Sequence, residues 1–85
     1  FMAYKQLTKL IREKTQRKET IETKVLNLYE ASNPSLYYVY EVLGDYYAAI
    51  QQIDTAITYW QKALTMPIPK QAEKVRIQQK INKNQ

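Results

Sequence analysis

Residues 37 to 70 read YYVYEVLGDYYAAIQQIDTAITYWQKALTMPIPK and hold the only glycine, Gly44, and the only tryptophan, Trp60, of the 85-residue chain. Leu36, Tyr40, Leu43, Tyr47 and Ile50 recur at helical spacing, and Val39, Val42, Tyr46 and Ala49 form a second apolar stripe beside them. A helix with so wide an apolar arc belongs between neighbours on two sides. Its remaining stripe, Tyr38, Glu41, Asp45, Ala48 and Gln52, is left for solvent or a ligand. After a short connection, Asp54 is placed to cap a second helix running to about Thr65, because its carboxylate can accept from the free amides of the first turn. Ala56, Ile57, Trp60, Ala63 and Leu64 form that helix's buried stripe, and Pro67 and Pro69 end it.

Outward from this hairpin, Asn33-Pro34 marks a stop and restart, since the residue before proline is pushed out of the helical region. Upstream, Met2 to Ser32 contains no proline, glycine or aspartate and is rich in Leu, Lys, Glu, Arg and Gln, a composition that favours helix. Apolar residues gather at Tyr4, Leu7, Leu10 and Ile11 and again at Ile21, Val25, Leu28 and Tyr29, with none from Arg12 to Thr20. Two readings fit: one long helix with a solvated waist, or a hairpin turning near Arg17 to Thr20 with Thr20 as N-cap. Downstream, about Lys70 to Asn82 forms a mostly polar helix with a thin apolar line at Ala72, Val75, Ile77 and Ile81. Such a helix covers one flank of the hairpin but cannot be buried on two sides.

The composition removes many chemistries. Without cysteine there are no disulfides or thiolate metal sites, and without histidine the commonest general base and zinc ligand is missing. A single glycine cannot build a phosphate-binding glycine-rich loop. No apolar run approaches the roughly 20 residues that cross a bilayer. The sequence begins Phe-Met-Ala-Tyr-Lys, which shows no signal-peptide pattern and suggests a processed piece or the C-terminal fragment of a longer chain. The net charge of +5 is unevenly spread: residues 1–36 carry seven Lys/Arg against four Glu, 37–69 one against three acids, and 70–85 five against one. An acidic centre thus sits between two basic flanks.

The order Tyr40, two residues, Leu43-Gly44, two residues, Tyr47, and then Ala56, three residues, Trp60, followed by Ala63, resembles the tetratricopeptide repeat. The resemblance covers residues 37–70, and Tyr59-Trp60 and Gln61-Lys62-Ala63-Leu64 also stand where that family carries those or similar types. Tyr40 replaces the usual tryptophan, the inter-helix turn reads Gln51-Gln52 without its frequent glycine, and the closing proline is displaced by one. The resemblance implies an all-α fold of the α-α superhelix kind, built from antiparallel helical hairpins. It divides the chain into an N-terminal helix or degenerate hairpin (1–33), one repeat (34–69) and a capping helix (70–83). Counting back one repeat length from the central hairpin also places a turn near Arg17 to Thr20.

The same resemblance implies a non-catalytic protein-interaction or self-association module that takes no cofactor, metal or small-molecule substrate. Its partner would be another protein or a second copy of itself. The candidate groove face is Tyr38, Glu41, Asp45, Ala48 and Gln52, and its acidic pair points to a basic or aromatic ligand. Tyr37, Tyr38, Tyr46 and Tyr59 exceed what one hairpin can bury, which suggests contacts with another repeat, another domain or a second copy. An alternative is a non-catalytic C-terminal segment of a larger enzyme. A basic nucleic-acid-binding domain would use Lys5, Lys9, Arg12, Lys14, Arg17 and Lys18 in front and Lys70, Lys74, Arg76, Lys80 and Lys83 behind, although Glu13, Glu19 and Glu22 interleave with the first group.

Overall fold

The computed structural model describes residues 4–85. The described residues form five helices and no strand: α1 (Tyr4–Arg17), α2 (Thr23–Ser32), α3 (Tyr37–Ala49), α4 (Ile53–Leu64) and α5 (Gln71–Lys83). The protein is therefore all-α. Upstream of Pro34 the chain folds as two helices that pack on one another, with the break after Arg17; Met2 and Ala3 of the expected helix lie outside the described residues.

The two hairpin turns are made the same way. At the end of α1, Lys18 adopts φ 56° while its amide donates to Thr15 O (3.1 Å) and that of Glu19 to Lys14 O (3.0 Å). At the end of α3, Gln51 adopts φ 68° while its amide donates to Ala48 O (3.1 Å) and that of Gln52 to Tyr47 O (2.9 Å). Both are Schellman caps, in which one left-handed residue lets two amides reach back to otherwise unpaired carbonyls. Glycine favours that position, and here a lysine and a glutamine take it at some cost in backbone strain.

The helix starts differ from expectation. Glu22 rather than Thr20 caps α2, and Gln52 rather than Asp54 caps α4, neither with a side-chain capping bond. Asp54 lies inside the first turn, where its charge still meets the positive end of the dipole. Pro34 sits in the turn before α3, and its carbonyl accepts from the Tyr40 hydroxyl (2.8 Å).

Helix α3 is the centre. It packs on α4, α1 and α2, and α5 leans on α4. Both apolar stripes of α3 are used: Val39, Tyr40, Val42, Leu43 and Tyr46 are buried, while Tyr47 is half-buried. From α4, Ala56, Trp60 and Ala63 are buried against it. Gly44 makes this approach possible, because a Cβ there would lie 2.4 Å from both Cδ1 and Nε1 of Trp60. The flanks complete the core with Leu7, Ile11, Leu26 and Tyr29 on one side and Ile77 and Ile81 on the other. In α5, Ala72 and Val75 are exposed rather than part of the apolar line. Residues two apart cannot share a helix face, so burying Ile77 turns Val75 outward.

All eight tyrosines are buried or half-buried within the chain; of the four expected to exceed the hairpin, Tyr37 and Tyr46 are buried and Tyr38 and Tyr59 half-buried. Their hydroxyls tie elements together. Tyr46 Oη accepts from the Ile21 amide (2.9 Å), and Tyr29 Oη accepts from Thr8 Oγ1 (2.9 Å). The Tyr59 ring stacks between Tyr47 (5.4 Å) and Tyr40 (6.3 Å), and Lys62 Nζ lies 4.6 Å from the centre of the Tyr40 ring.

Candidate functional site

The polar stripe of α3 does not face open solvent. Two basic side chains one turn apart on α5 meet two acids one turn apart on α3. Arg76 donates from Nε to Glu41 Oε2 (2.8 Å) and from Nη2 to Glu41 Oε1 (2.7 Å). Lys80 Nζ donates to Glu41 Oε2 (2.7 Å) and to both oxygens of Asp45 (3.0 Å each). Trp60 Nε1 donates to Asp45 Oδ1 (3.1 Å), so the residue that fills the hairpin also anchors this network.

The pairs run in the same chain order: the Tyr37 hydroxyl donates to Glu73, Glu41 takes Arg76 and Asp45 takes Lys80. Helices α3 and α5 therefore run in the same direction. On the other side, Arg12 of α1 donates from Nη1 to the Tyr38 hydroxyl.

Burial governs the charges. Glu41 is only 2% exposed. Burial alone pushes its carboxyl up, but the hydrogen bonds from Arg76 and Lys80 outweigh that and hold it below the ordinary value. The Arg76 guanidinium is correspondingly raised, chiefly by its bonds to Glu41. Asp45 goes the other way: burial raises its carboxyl and Glu41 adds to the rise, while Lys80 and Trp60 only partly offset it. Tyr37 is pushed up to about 12 by burial and by its bond to Glu73.

Three depressions of about 440, 300 and 180 Å³, the first wide open, share Asp45 in their walls and follow α3 as a shallow groove. Arg12, Thr15, Gln16 and Lys18 line its α1 side, and Glu73, Arg76 and Lys80 its α5 side. Of the residues expected on the groove face, Tyr38, Glu41, Asp45 and Ala48 line it, and Gln52 does not. Gln51 lines it instead, because the left-handed turn brings that side chain round. Glu41 needs correction in a second respect: it is a buried, fully paired anion rather than a free one.

The basic residues of this groove were visible in the sequence only as flanking charge. One signal could have matched them to the acids: Arg76 and Lys80 lie 35 residues beyond Glu41 and Asp45, close to one repeat length, with the same four-residue spacing. Among the described residues no group of three or more metal-binding acids gathers, and no helix is long and apolar enough to cross a membrane. No family model matches the chain, and neither does any curated protein or solved structure.

Proposed function

We propose that the chain is a protein-interaction module of the tetratricopeptide type, non-catalytic, which holds an extended segment of a partner protein in the groove along α3. The observation that carries this reading is the groove itself, walled by α1 and α5 with α3 as its floor and α5 parallel to α3. Its carboxylates are already bonded to lysine, arginine, tyrosine or tryptophan, an arrangement suited to holding a shape rather than to transferring protons. A second copy is not needed to complete the core, since α1, α2 and α5 supply the residues that the central hairpin lacks. The partner is accordingly read as a groove ligand.

Selection of binders from a random peptide library tests the reading. Peptides recovered on the intact chain should lose binding when Ala48→Trp fills the groove, while the helical circular dichroism signal is kept. Binders indifferent to that substitution, or none at all, would refute it.

A further inference from the structure

The charges left available in the groove are not those that the sequence of α3 suggests. Glu41 and Asp45 are occupied by Arg76 and Lys80, and Glu73 takes the Tyr37 hydroxyl and lies 3.9 Å from Arg76. At Glu41 a basic ligand would have to displace Arg76 and Lys80 from a carboxylate that is 2% exposed, and at Asp45, 37% exposed, it would compete with Lys80 and Trp60. The cations are less committed. Arg12 is exposed, donates to the Tyr38 hydroxyl, and pairs with no carboxylate among the described residues. Arg76, though bidentate to Glu41, keeps a side-chain exposure of 45%. Both guanidinium groups belong to residues lining the same 300 Å³ cleft, one on α1 and one on α5.

We infer that the groove takes an acidic peptide segment, with a Glu or Asp side chain of the partner seated between Arg12 and Arg76. This rests on the groove reading above and reverses the ligand charge expected from the acidic pair. A guanidinium fits a carboxylate with two parallel hydrogen bonds, and Arg12 can offer such an edge without breaking an ion pair. Tyr38 holds Arg12 toward the cleft, and its half-buried ring supplies an apolar surface for the residue beside the acid.

Fluorescence anisotropy on the intact chain tests this with two labelled peptides blocked at both ends, one alternating Glu and Ala, the other Lys and Ala. Blocking the ends confines the readout to side-chain carboxylates. The Glu peptide should bind and the Lys peptide should not, with affinity falling as salt rises. Arg12→Ala should weaken the Glu peptide about tenfold without shifting thermal melting, and Lys24→Ala, an exposed cation on α2, should leave it unchanged. The inference is overturned if the Lys peptide binds better, if neither binds, or if the two substitutions weaken binding equally, which would mark diffuse attraction to any polyanion. Library peptides that lose binding with Ala48→Trp yet carry no acid would sink the acidic assignment while leaving the groove reading intact.

Discussion

The two flanks of α3 are held by different forces. Toward α1 the contacts are made by Leu7 and Ile11, buried to 3% and 0%, with the Tyr46 hydroxyl tied to the Ile21 amide between α1 and α2 and Arg12 donating to the Tyr38 hydroxyl. Toward α5 only Ile77 and Ile81 are buried, and three charged residues one to two turns apart reach across to Glu41 and Asp45 or, for Glu73, to Tyr37. The first seam is mostly apolar and carries no ion pair among the described residues; the second is held largely by ion pairs. A helix can thus be sandwiched on both sides with its ion pairs concentrated on one, and that side is expected to answer more strongly to pH and ionic strength.

The comparison can be broken most forcefully from the apolar side. Ile11→Ala should cost about 2–5 kcal/mol, because it opens a cavity in a fully buried site. Urea unfolding followed by circular dichroism would show it, and the loss should be the same in low and high salt. A loss near zero would mean that α1 is not part of the cooperative core.

On the charged side, Glu41→Gln should destabilise by about 1–3 kcal/mol, below the full cost of orphaning a buried pair because Arg76 and Lys80 can turn to water. The pH dependence follows from the direction of the shifts. A carboxyl whose folded value is lowered contributes stability that is present above its unfolded value near ~4.3 and is lost as pH falls through the folded value. Asp45, whose folded value is raised, works oppositely and softens the transition: its contribution improves as pH falls from the folded value toward the unfolded one. Amide hydrogen exchange should therefore lose protection in α5 before α1 on acidification, and Glu41→Gln should remove most of that difference. Equal loss in both helices would erase the distinction between the seams.

Gly44→Ala touches neither seam directly and serves as an internal standard. The added methyl meets the buried Trp60 ring at 2.4 Å, so α3 and α4 must separate or Trp60 must leave Asp45, at about 1–3 kcal/mol. Tryptophan fluorescence should shift with it. The smallest effect runs in the stabilising direction: Gln51→Gly relieves the left-handed strain at φ 68° and should add about 1 kcal/mol, with Lys18→Gly giving a similar gain. No change in melting temperature for either would show that the strain is already relaxed.

The sequence by itself carried the helical class, the α3–α4 hairpin and the buried stripe of Ala56, Trp60 and Ala63, whereas the seating of Trp60 against Gly44 came from the packing. The first three rest on local periodicity and on single residues whose size has one use, so they can be read without knowing what lies across the core. It also showed that α3 needed cover on two sides, and left open whether the cover came from this chain or another. Only the tertiary structure decided that α1, α2 and α5 provide it, because helix composition says that a segment is helical but not where its faces go. The fate of Glu41 was likewise undecidable from α3 alone: a carboxylate on a polar stripe has the same spacing whether it meets water, a ligand or Arg76. Three-dimensional packing placed Arg76 and Lys80 over it, turned Gln51 rather than Gln52 toward the groove, and left Arg12 and Lys18 on the α1 side without a paired carboxylate among the described residues.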